Sequence, residues 1–154
     1  MNGDRETAPS DVAVLMLRVL LGLLFLAHFY WKFAILPGGL GAWWSGLVRA
    51  GYPALVPAYV LSAEFAGAFL LIPGIFPRLV ALYALPMMLG AAQFWFVRKG
   101  FYFTLAGAEM PLVWSALLAI LAVAGDGRWA LLRSPPLVGE RWFAGNINRR
   151  KLVP

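Results

Sequence analysis

Apolar residues fall along the chain in four long runs, separated by short stretches rich in glycine, proline and charge. The first run covers residues 12–36 and is interrupted by Arg18, His28 and Lys32. The second covers 54–76 and carries a single charge, Glu64. The third, 79–97, has no charge and one strongly polar residue, Gln93. The fourth, Met110–Ala124, is uncharged but short, and is expected either to start earlier, near Thr104–Glu109, or to continue towards Trp129 to approach the ~20 residues that cross a bilayer. None of the runs alternates with a period of two, so helices rather than barrel strands are predicted. The reading is an all-α integral membrane protein, a bundle of four transmembrane helices at about 12–36, 54–76, 79–97 and 106–124. This membrane domain, 12–133, lies between a polar segment, 1–11, and a basic tail, 134–154.

The connections sharpen this picture. Residues 37–53 hold Gly38, Gly39, Gly41, Trp43, Trp44 and Tyr52 between two prolines, which predicts an interfacial loop with a short helix around Trp43–Arg49. Pro73, Gly74 and Pro77 mark a tight turn between the second and third helices, and Gly125–Asp126–Gly127 stops the fourth. The polar N-terminal segment is acidic as much as basic, and the run after it is too long for a signal peptide.

Composition agrees. The chain has 154 residues, 62 % hydrophobic and 13 % charged, with a mean hydropathy of +0.76. A soluble domain of this size cannot bury so much apolar surface. There is no cysteine and one histidine, which excludes thiolate chemistry, disulfides and multi-histidine metal or haem sites within this chain. The net charge of +6 points to topology and anionic lipid headgroups rather than nucleic acid. With four crossings, Arg5, Arg18, Arg78, Arg128, Arg133, Arg141, Arg149, Arg150 and Lys151 fall on the side of the termini. Lys32, Arg49, Arg98 and Lys99 fall on the other, so both termini are expected in the cytoplasm.

Ionisable groups at membrane depth are costly and face the bundle interior. His28 and Lys32 are four apart and share a helical face. His28 stands roughly 12 Å below the outer end of its helix, and Glu64 roughly 10 Å below the same surface. Glu109 opens the fourth helix at that side. His28, Lys32, Glu64 and Glu109 thus form a candidate polar cluster. Two readings stay open: an ion pair that fixes helix register, or a small polar pocket that binds a headgroup such as a quinone ring and passes protons. Gly67 and Gly74 lie with Glu64 on the expected packing face of the second helix. Arg18 has no acid at its own depth and is expected to snorkel to lipid phosphate. Arg78 reads as an anchor on the positive side, and most aromatic residues as an interfacial belt.

The order of these residues resembles the DoxX family of small four-helix bacterial membrane proteins. The resemblance covers about Leu15 to Leu131. It rests on Arg18, Gly22, His28 and Lys32 in the first helix, on Glu64-Phe-Ala-Gly67, Gly74 and Arg78 around the second, on Gly107-Ala-Glu109-Met-Pro111-Leu before the fourth, and on Gly125-Asp-Gly127-Arg128 after it. Phe29 stands where the family pattern has glycine. The resemblance implies the bacterial cytoplasmic (inner) membrane, a multi-pass topology, and a role as the membrane subunit of an oxidoreductase related to thiosulfate:quinone systems. His28, Lys32 and Glu64 would then bind the quinone headgroup. No cofactor is expected to be bound covalently or by metal ligation, and the expected partners are membrane lipids and other membrane subunits. The alternative is a non-catalytic scaffold or assembly subunit of a larger membrane complex.

Overall fold

In the computed structural model, which describes residues 9–136, the described chain is helical, with one isolated parallel bridge between Ile75 and Leu132. Helix α1 (Pro9–Tyr30) continues into a π-helical segment, Trp31–Ile35. A short helix α2 (Gly39–Arg49) follows, then α3 (Leu55–Leu70), α4 (Pro77–Lys99), a 3₁₀ turn (Phe103–Leu105) and α5 (Glu109–Ala124). Helix α1 packs on α3, α3 on α4, α4 on α5 and α5 back on α1, which closes a four-helix ring, while α2 lies across the π segment and the start of α3. One end of the bundle, here proximal, holds the start of α1, the α3–α4 turn and the end of α5. The distal end holds α2, the end of α4 and the start of α5.

The core runs down the ring axis. Leu21 and Phe25 come from α1, Ala63 from α3, Ala81 and Ala84 from α4, and Leu118 and Leu121 from α5. Small residues let the helices approach closely. The clearest case is Gly67, where a Cβ would stand inside the Phe25 ring. The outer faces are equally apolar: Met16 is 67 % exposed and Val123 83 %. A helix that is hydrophobic on every side belongs in an apolar solvent.

Two helical stretches are long and apolar enough to cross a bilayer, Pro9–Ile35 and Pro77–Lys99. Helices α3 and α5 have 16 residues each. At 1.5 Å per residue they rise about 24 Å, short of the roughly 30 Å hydrocarbon core.

The boundaries differ from the expected ones for local reasons. The 54–76 helix ends at Leu70, because Gly74 (φ 78°) and Phe76 (φ 48°) adopt left-handed conformations that no α-helix can carry. The fourth begins at Glu109 rather than 106, because Ala106 is also left-handed (φ 58°) and Gly107 packs directly on the backbone of Gly100 and Phe101. Residues 9–11, expected in the polar segment, form the first turn of α1. The rest of that segment, and residues 137–154 of the basic tail, lie outside the described residues. The helix expected near Trp43–Arg49 is present and starts four residues earlier, at Gly39.

Candidate functional site

Lys32 and Glu64 meet inside the distal half of the bundle. Their side chains are 4 % and 7 % exposed, and the Lys32 ammonium donates to both carboxylate oxygens of Glu64. Local structure explains the encounter. Lys32 sits in the π segment, where the Leu36 N–H reaches back five residues to the Trp31 carbonyl at 2.9 Å. Single π turns inside α-helices recur at functional sites. Glu64 is carried inward on the same α3 face as Gly67, which the Phe25 contact holds against α1. Burying two charges is tolerable only with good geometry, and this pair supplies it.

Aromatic rings close the site. Trp43 of α2 lies over the Lys32 ammonium, which is 4.3 Å from the ring centroid. This is a cation–π contact that covers the pair on its distal side. Helix α2 is entered through two left-handed glycines, Gly38 (φ 78°) and Gly39 (φ 58°), and left through a third, Gly51 (φ 93°).

His28 lies one turn before Lys32, near the end of α1. Its ring is edge-on to Trp114 of α5, with centroids 5.0 Å apart, and Trp114 also packs edge-on to Phe25 at 5.3 Å. The two residues were expected to share one face, yet His28 is exposed and Lys32 is buried. The wider π turn changes the angle between successive side chains, so the i, i+4 rule of a regular helix fails there. Glu109 does not join the pair. Its carboxylate accepts a hydrogen bond from the Phe103 N–H at 3.0 Å, and its own N–H donates to the Phe101 carbonyl at 2.8 Å. It therefore clamps the α4–α5 loop to the start of α5. The structure brings together Lys32 and Glu64 with His28 at their edge, and assigns Glu109 elsewhere. Sequence reasoning missed Trp114, and read Trp43 only as an interfacial anchor. The two glycines ahead of Trp43 were the available signal that α2 could fold back over the bundle.

The proximal end holds a second buried cation. Arg18 does not snorkel outward as expected: it is 3 % exposed and its guanidinium lies on Gly74, where a Cβ would occupy the same space. Its Nη2 donates to the Trp129 carbonyl at 2.7 Å. The inward turn is possible because the α3–α4 turn has no side chain at Gly74, and because the strand-like segment after α5 returns beside it. There the Phe76 N–H donates to Leu132 O (2.9 Å) and the Leu132 N–H to Gly74 O (3.1 Å). Asp126 completes this end. It accepts from the Arg78 N–H (3.0 Å), at the first turn of α4, and from the N–H (2.6 Å) and hydroxyl (2.7 Å) of Ser134. Burial opposes ionisation of Asp126, but these hydrogen bonds and the Arg78 charge outweigh it and hold its carboxyl below the usual carboxylate range.

Among the described residues no group of three or more histidine, aspartate or glutamate side chains is placed to hold a metal ion. No curated protein and no solved structure matches the chain. Residues 13–99 match the DoxX family, a stretch that contains Arg18, His28, Lys32, Glu64, Gly67 and Gly74 and stops short of α5. The match spans more than half of the sequence, and the chain belongs to the DoxX family of membrane proteins.

Proposed function

We propose that the protein is a quinone-linked membrane subunit of an oxidoreductase system, crossing the bacterial inner membrane four times with both termini in the cytoplasm. The observation that carries this reading is the buried Lys32–Glu64 pair, set in a π turn beneath Trp43 with His28 open beside it. Four crossings are supported by the closed ring of α1, α3, α4 and α5 and by its apolar outer faces. The shorter α3 and α5 are met by local thinning of the bilayer, a modest cost per ångström.

The donor set suits a quinone ring. Lys32 offers N–H donors to a ring oxygen, Glu64 is a carboxylate able to carry a proton, and Trp43 and Trp114 supply flat apolar walls. A bound quinone would accept two electrons and two protons. With no cysteine and one histidine, this chain must receive those electrons from a cofactor in a partner subunit. Its own residues orient the ring oxygen through Lys32 and pass protons between Glu64 and His28, the exposed member of the group. A short-chain ubiquinone titrated into the purified protein in lipid nanodiscs should quench tryptophan fluorescence saturably. Glu64→Gln should weaken that binding at least tenfold, and unchanged affinity refutes the assignment.

One observation favours the scaffold reading: Lys32 already engages both oxygens of Glu64, so the pair is satisfied without a ligand. In that case a Lys32→Met/Glu64→Leu protein assembles with its partners and supports their activity as the natural chain does.

A further inference from the structure

Aromatic rings close the Lys32–Glu64 pair on two sides. Trp43 covers the ammonium distally. Along the seam between α1 and α3, Phe29 packs on Phe33 (4.7 Å between centroids), Phe65 (6.1 Å) and Phe69 (6.0 Å), and Phe65 on Phe69 (4.8 Å). Phe33 and Phe65 directly follow Lys32 and Glu64 in the chain, so this wall stands beside the pair. The side towards α5 is different. Of the helix pairs in the ring, α1 and α5 make the least extensive contact. Leu21 and His28 lie two turns apart on one face of α1. Leu21 is fully buried, whereas His28 is exposed. The end of the bundle does not account for this, because α5 begins at Glu109, about 7 Å further towards the distal end than Trp114, whose ring meets His28. The two helices therefore part at the level of His28. The exposed residues around the opening, Ala27 and Trp31 on α1 and Met110 and Val113 on α5, are all uncharged.

We propose that the pair is reached sideways from the lipid, through this opening between α1 and α5. Its ligand is then a membrane-dissolved molecule with a hydrogen-bonding ring and an apolar tail, and not a water-soluble substrate arriving from the distal side. The ring passes the His28 imidazole and the edge of Trp114 on its way to the Lys32 ammonium. The tail stays in the opening against Met110 and Val113, where it exchanges one apolar surrounding for another and never crosses the headgroup layer. His28 is thereby assigned a place: it is the polar side chain at the mouth, able to hold a ring oxygen or take its proton. The inference deepens the quinone reading above and rests on it.

The chain has no cysteine, so a single cysteine can carry a removable block at a chosen place. Met110 lies one turn before Trp114 on the same side of α5 and is 48 % exposed. Met110→Cys is modified with benzyl methanethiosulfonate in lipid nanodiscs, and association of a short-chain ubiquinone is followed by stopped-flow quenching of tryptophan fluorescence. The block should slow association about tenfold, and a reductant that removes it should restore the rate, which separates obstruction from misfolding. The same block at Val123→Cys, on the proximal part of α5, or at Gly41→Cys, on the exposed side of α2, should leave the rate unchanged. An unchanged rate with Met110→Cys blocked, or equal slowing from Gly41→Cys, overturns the sideways path while leaving quinone binding in place. Absence of saturable quenching in the natural chain refutes the quinone reading itself, and the path with it.

Discussion

Removal of either member of the Lys32–Glu64 pair should cost far more stability than removal of both. The two side chains are 4 % and 7 % exposed, so each depends on the other for almost all its compensation. Breaking a buried pair from one side leaves an uncompensated charge, at about 3–5 kcal/mol. Replacing both members with apolar residues of similar volume, Lys32→Met with Glu64→Leu, removes the desolvation penalty together with the attraction, and is neutral or stabilising by roughly 1–4 kcal/mol. The coupling energy of the double-mutant cycle should therefore be at least ~3 kcal/mol, well above the ~0.6 kcal/mol average of side-chain hydrogen bonds between membrane helices. The assay is reversible unfolding of the purified protein in mixed micelles, followed by near-ultraviolet circular dichroism. The chain has seven tryptophans, and Trp43 and Trp114 lie at the site, so the signal reports on it directly. Single variants within about 0.5 kcal/mol of the natural protein would mean that the pair is solvated or contributes only as an exposed ion pair does, and the argument for a buried site would fail.

Four further outcomes follow from the packing. Gly67→Ala should destabilise by about 1–3 kcal/mol, because the new methyl would occupy the Phe25 ring position; the same unfolding measurement reads it. Gly74→Ala should cost as much or more, since Gly74 has φ 78° and the Arg18 guanidinium fills the space beside it. Asp126 has a folded-state pKa below its unfolded value, so its contribution is present above the unfolded pKa and is lost as pH falls through the folded one. A pH series on Asp126→Asn should accordingly be flatter than that of the natural protein on the acid side, and parallel curves would count against the hydrogen-bonded carboxylate. Trp43→Ala should speed modification of Lys32 by an amine-reactive reagent, read by peptide mass spectrometry, because the indole covers the ammonium.

What the sequence made legible were the long-range features that depend on composition. Apolar runs located α1, α3, α4 and α5, and isolated charges within them singled out Lys32 and Glu64. These followed because a charge at membrane depth must find a partner, and for Lys32 the carboxylate on the second apolar run was within reach. The turn residues that shorten α3 and α5 were less visible. Phe76 and Ala106 take left-handed backbones although neither residue type announces one. The π turn at Trp31–Ile35 has no sequence signature either, and it holds buried Lys32 while His28, one turn before, is exposed. Glu109 was misassigned because depth along a helix axis says nothing about azimuth: the nearer Phe103 N–H claimed its carboxylate.

Arg18 shows the same limit from the opposite end of the molecule. Only carboxylates were considered as partners for a cation at that depth, and lipid phosphate was the remaining choice. The structure uses a backbone carbonyl instead, at Trp129, together with the empty side of Gly74. Helix α1 thus carries two buried cations with different solutions. Lys32, a compact charge on a flexible stem, is neutralised by a carboxylate from α3. Arg18, a planar group with fixed donors, hydrogen-bonds the Trp129 carbonyl in the segment after α5 and packs against Gly74 of the α3–α4 turn. On the proposed function, the first arrangement is the one that exchanges a proton and meets a polar ligand. The second ties three chain segments together at one point. On the proposed function, the distal end carries the chemistry and the proximal end fixes the bundle. The two ends should therefore respond differently to conservative change: Lys32→Arg should weaken short-chain quinone binding while stability holds, whereas Arg18→Lys should lower stability while that binding holds.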